Sequence, residues 1–104
     1  MDEILKYDLE VSDAALAMLD SHIEFLARVN THAATRLMNE ILSDIESLST
    51  FPERFPILDS EFIPDGRYRK MLTSKRYLVI YEIYENTVAV EYILDCRTDY
   101  EWLL

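Results

Sequence analysis

Apolar and polar residues alternate from Ile4 to Val11, with Leu5, Tyr7, Leu9 and Val11 on one side and Lys6, Asp8 and Glu10 on the other. That is the period of a half-buried strand. Ser12 and Asp13 then offer side-chain oxygens to the free amides of a helix start. Beyond them the period lengthens: Leu16, Leu19, Ile23 and Leu26 recur at helical spacing, giving a first helix with one apolar stripe that ends near Asn30. Thr31 is placed to cap a second helix, whose stripe runs through Ala34, Leu37, Met38, Ile41, Leu42, Ile45 and Leu48 until Phe51-Pro52 stops it. With so short a link, the two helices are expected to fold back as an antiparallel hairpin.

Residues 51–66 hold Pro52, Pro56, Pro64 and Gly66, all the prolines and the one glycine of the chain. They predict a rigid connection closing in a turn at Pro64-Asp65-Gly66. Three β-rich runs follow, Arg67 to Leu72, Tyr77 to Glu85 and Thr87 to Leu94, and read as an antiparallel meander. Period 2 puts Tyr77, Val79, Tyr81 and Ile83 on one face, answered by Val88, Val90, Tyr92 and Leu94 on the neighbouring strand. The fold class expected is α+β: a strand, a two-helix antiparallel hairpin, then a three-stranded antiparallel meander. Residues 1–104 are expected to form one domain, since a chain of 104 residues that is half apolar can bury a core unaided.

Composition removes several function classes. No apolar run nears the ~18 residues of a membrane span, and Met1-Asp2-Glu3 lacks the basic start of a secretory signal, so a cytoplasmic protein is expected. The single cysteine, Cys96, allows neither an internal disulfide nor a Cys-based zinc site. One glycine leaves no phosphate-cradling loop, and His22 and His32 alone suggest no metal cluster, so no cofactor and no metal are expected.

The net charge of −10 argues against general nucleic-acid binding, yet it is unevenly spread. Residues 1–66 carry fourteen acids and four bases, while residues 67–104 carry six of each. Arg67, Arg69, Lys70, Lys75 and Arg76 fall within ten residues that contain no acid. Such a patch suits an anionic partner; it equally suits a solvated edge strand. Together with Tyr68, Tyr77, Arg97 and Tyr100 it supplies phenols and fixed cations. Those groups are able to move protons and stabilise an oxyanion when a 2′-hydroxyl attacks the neighbouring phosphorus, with no metal or histidine required.

The order of elements, with Tyr7-Asp8-Leu9-Glu10-Val11-Ser12, Tyr68-Arg69-Lys70-Met71-Leu72, Tyr77-Leu78-Val79-Ile80-Tyr81 and Ile93-Leu94-Asp95-Cys96-Arg97-Thr98-Asp99-Tyr100, resembles the RelE/ParE superfamily of bacterial toxins across nearly the whole chain. The resemblance implies the toxin of a type II toxin-antitoxin pair, held inactive by a cognate antitoxin that wraps its sheet and groove, and it leaves a homodimer open. Two targets are implied. RelE-like members cleave messenger RNA on the ribosome, for which Arg69, Lys70, Arg97 and Tyr100 would be catalytic and Arg67, Tyr68, Lys75, Arg76 and Tyr77 would bind. ParE-like members inhibit DNA gyrase without cleaving RNA. A third outcome is a binding module that has lost its toxicity. Messenger cleavage is the first reading and gyrase inhibition the alternative: Leu78, where RelE-like ribonucleases tend to carry arginine, and the lack of a histidine after His32 depart from the ribonuclease pattern, and the long helical hairpin and acidic balance look more like the ParE side.

Overall fold

The computed structural model describes residues 6–59 and 66–97. Strand β1 (Asp8–Val11) leads into helix α1 (Asp13–Ala27) and helix α2 (Thr31–Glu46). Two short 3-10 turns, Ser47–Ser49 and Pro52–Arg54, follow, and then strands β2 (Arg69–Thr73), β3 (Tyr77–Tyr84) and β4 (Thr87–Asp95). The sheet order is β1-β4-β3-β2. β2, β3 and β4 are an antiparallel meander, while β1 lies parallel to β4, with Leu9 opposite Val88 and Val11 opposite Val90. Ile4, Leu5, Pro64 and Asp65 fall outside the described residues.

Ser12 starts α1 as expected: its hydroxyl accepts from the Ala15 amide at 3.0 Å. For α2 the expectation is off by one residue. Asn30, in extended conformation, is the cap, and its Oδ1 accepts from the Ala33 amide at 2.9 Å, so Thr31 is the first helical residue. Asn supplies that acceptor at least as well as Thr. The stripes close over the sheet through Ala15 and Leu19 of α1 and Leu37, Ile41 and Ile45 of α2, all buried against Met71, Val79, Tyr81, Val88 and Val90. Burial of each large aliphatic side chain contributes roughly 1.5–3 kcal/mol. Leu16 and Leu42, at the borders of the stripes, remain exposed.

The face assignment of β4 needs a correction. Tyr81 pairs with Val90 but Ile80 pairs with Tyr92, so Glu91 is an extra residue in β4. The bulge shifts the side-chain alternation by one. Ile93 therefore takes the core position, while Tyr92 and Leu94 turn to the other face, where Leu94 packs with Ile80 and Leu58 in a second apolar cluster. The carbonyl of Glu91 accepts from the Ser12 hydroxyl at 2.9 Å, so one side chain caps α1 and holds the bulge.

Candidate functional site

Arg69 sits on β2 at the register of Tyr81. Its Nη1 donates to the carbonyls of Phe55 at 2.6 Å and Glu53 at 3.1 Å. The Tyr81 hydroxyl donates to the Pro52 carbonyl at 2.6 Å from a fully buried ring. From the other side Arg54 donates to the carbonyls of Thr50, Phe51 and Ser47 and to the Ser47 hydroxyl. Arg69 and Tyr81 thus tie residues 52–55 to the sheet, and Arg54 braces residues 47–54 from within. Backbone carbonyls in a loop without a ladder partner need such donors. The sequence patch gave no hint of this role, because the acceptors are main-chain atoms that carry no side-chain signal. Burial pushes the Tyr81 phenol up to about 12, with Arg69 and Arg54 opposing the shift.

Lys70 lies on the same strand with its side chain on the opposite face, and its amide donates to the Pro56 carbonyl at 3.0 Å. Tyr68 packs beside Leu58, Ile80 and Leu94, and burial raises its phenol. Arg67 lies over the Tyr68 ring at 5.0 Å and pairs with Glu82 at 3.5 Å. Lys75 is exposed at the β2–β3 turn, where it and Ser74 have φ of 68° and 51°. Tyr100 lies outside the described residues.

Arg97 follows β4. Its amide donates to Asp95 Oδ1 at 2.9 Å and its Nη2 lies 3.5 Å from Oδ2. Asp95 pairs with Tyr77 whereas Arg69 pairs with Tyr81. Their register levels are thus separated by about 13 Å along the strands, on strands that are not neighbours. The structure does not bring Arg69 and Arg97 together.

It does bring Arg76, Tyr77 and Arg97 together, at the end of the sheet where α1 crosses. There they line a groove of about 520 Å³ with Met18, His22, Phe25 and Val29 of α1 and its C-terminal turn. Tyr77 is buried, its ring 5.2 Å from His22. His22 Nε2 lies 2.9 Å from the Ile93 carbonyl, which only accepts, so this nitrogen carries the proton. Arg76 lies 5.8 Å from the Tyr77 ring, and its Nε is buried with no hydrogen bond to any described residue. The α1 side of this groove was missed from sequence. Its signal was present in Phe25 and Val29, a four-residue pair lying off the apolar stripe of α1.

Among the described residues no three His, Cys, Asp or Glu side chains group as a metal site, and no helix is long and apolar enough to cross a membrane. A strand, a two-helix hairpin and a three-stranded antiparallel meander, in that order, is the architecture expected of a RelE/ParE-type toxin. The family model described as ParE toxin of type II toxin-antitoxin system, parDE, matches residues 9–100, and the chain belongs to that family. Among solved structures, a chain of the chromosomal ParDE TA system from P. aeruginosa superposes with a TM-score of 0.74 at 14% identity. The match covers 86% of this chain and 96% of that one, and it shows a shared fold. No curated protein sequence matches. The chain is therefore the toxin component of a type II toxin-antitoxin module, and its partner is a cognate antitoxin.

Proposed function

We propose that this toxin arrests growth by docking on DNA gyrase as a stoichiometric inhibitor, without cleaving RNA. The observation that carries the reading is the commitment of Arg69 to the Phe55 and Glu53 carbonyls. With Nη1 held by two loop carbonyls the Arg69 guanidinium faces the segment before β2, and Arg97, the other arginine of the nuclease constellation, lies at a different register level, so the two do not converge on one phosphate. In-line cleavage needs proton-transfer groups and fixed charge converging within hydrogen-bond reach of one phosphate. Net charge points the same way: at −10 the body repels ribosomal RNA, whereas docking on a protein surface needs no neutralisation of a phosphate backbone. ParE-like members of the superfamily are gyrase inhibitors, and a cytoplasmic location follows from such a target.

Two parallel incubations test the reading. With translating ribosomes the purified toxin leaves messenger RNA intact. With gyrase, ATP and relaxed plasmid it blocks supercoiling, and adding the antitoxin restores it. Cleaved messenger together with normal supercoiling would return the chain to the ribonuclease reading through Arg69, Lys70, Arg97 and Tyr100.

A further inference from the structure

We infer that the groove between α1 and the Arg76–Arg97 end of the sheet holds the target, accepting a short protein segment that carries an apolar side chain followed by a carboxylate. The inference rests on the gyrase reading and deepens it by naming the surface and the chemistry recognised.

The apolar half of the groove is set by α1. Phe25 on α1 is 68% exposed and Val29, in the turn just past its end, is 81% exposed, and both line the groove. They continue inward to half-buried Met18 and Leu26 along the groove wall. An apolar surface rimmed by polar groups and open to water marks a contact with another molecule. Nothing in the fold of the described residues uses Phe25 or Val29: neither belongs to the core clusters.

The polar half, where Arg76 and Arg97 outnumber the Asp95 carboxylate, specifies the sign of the occupant. Arg76 Nε is shut off from water and has no acceptor among the described residues. The Arg76 charge nonetheless lines the groove beside Tyr77 and adds to the positive potential that an arriving carboxylate meets. Across the groove the Arg97 guanidinium stays 56% exposed, and at 3.5 Å its contact with Asp95 is longer than the ~2.7–2.9 Å of a full charge-assisted bond. It therefore has donors to spare for a second carboxylate. Lys75, at the adjacent turn, adds a further positive charge.

Charge complementarity then selects the partner. An acidic segment is repelled by a body of net charge −10 and attracted at this groove, which fixes both where it binds and in which direction it lies.

The test compares Phe25→Ser, Val29→Asp and Arg97→Gln with wild type in a supercoiling assay on intact gyrase. Thermal midpoints are recorded in parallel, and Tyr84→Ser serves as an exposed control outside the groove. The expected result is a rise of at least roughly tenfold in the half-inhibitory concentration for each groove variant, with wild-type midpoints and a wild-type Tyr84→Ser. Groove variants as potent as wild type would overturn the groove while leaving the gyrase reading intact. A wild-type toxin without effect on gyrase would overturn both. Variants that lose antitoxin binding but keep full potency would assign the groove to the antitoxin. A tenfold gain in potency on deleting residues 98–104 would assign it to the chain's own segment. Either result would end the proposal.

Discussion

At the scale of single residues, arginine and tyrosine here act first on the backbone. Because the Arg69 guanidinium satisfies two carbonyls of the loop before β2, Arg69→Ala should cost stability of about 1–3 kcal/mol, the usual range for bonds from a charged donor. Urea unfolding checks this, with gyrase inhibition per folded molecule unchanged; a fully stable variant that has lost all toxicity would instead give Arg69 a direct role. Tyr81 makes a pH-dependent contribution. Its phenol is pushed from 10.0 up to about 12 in the folded chain, chiefly by burial, so folding favours the neutral form. The stability it lends is complete below pH 10 and is lost as pH rises through about 12. The loss should be on the order of 1–2 kcal/mol, less than the full linkage value because solvent screens part of the effect. Tyr81→Phe should flatten the fall of the thermal midpoint over that alkaline window, while lowering stability at neutral pH because the Pro52 carbonyl loses its donor.

At the scale of elements, two junctions hold the architecture. Ser12 caps α1 and fixes the carbonyl of the β4 bulge, so Ser12→Ala removes two bonds and should cost about 1–2 kcal/mol in chemical denaturation. The β2–β3 turn puts Ser74 and Lys75 at positive φ, a region that costs a non-glycine residue roughly 1 kcal/mol. Ser74 is held there by its hydroxyl bond to Glu40 at 2.6 Å, and Thr73 is held beside it by a 2.6 Å bond to Asp44. Lys75→Gly should therefore raise the thermal midpoint, and a drop would mean that Lys75 makes a contact its exposure conceals. These junctions also mark what was legible beforehand. Helix stripes and strand alternation reflect local burial, so the order of elements and the antiparallel meander were readable from Leu19, Ile41, Val79 and their neighbours. The bulge at Glu91 was not readable, since the hydroxyl that holds its carbonyl lies 79 residues away. The site was legible only in part. The cluster of Arg76, Tyr77 and Arg97 was visible as cations around two strands, but the duty of Arg69 depends on main-chain carbonyls, and the wall of Phe25 and Val29 needed the crossing of α1 over the sheet.

At the scale of the whole molecule, an acidic toxin presents a small cationic, apolar groove at one end of its sheet. If recognition relies on that contrast, raising salt from about 50 to 200 mM should weaken inhibition only several-fold, because few charge pairs are engaged and Debye screening acts on the exposed ones. A loss of a thousandfold or more would be the signature of a chain that grips phosphates. The central claim is that the toxin works by occupying gyrase. Titration of purified toxin against a fixed concentration of gyrase in the supercoiling of relaxed plasmid tests it most directly. Inhibition should rise with toxin until the enzyme is saturated and should reverse on adding antitoxin. Unimpaired supercoiling at a large molar excess of folded toxin would contradict it.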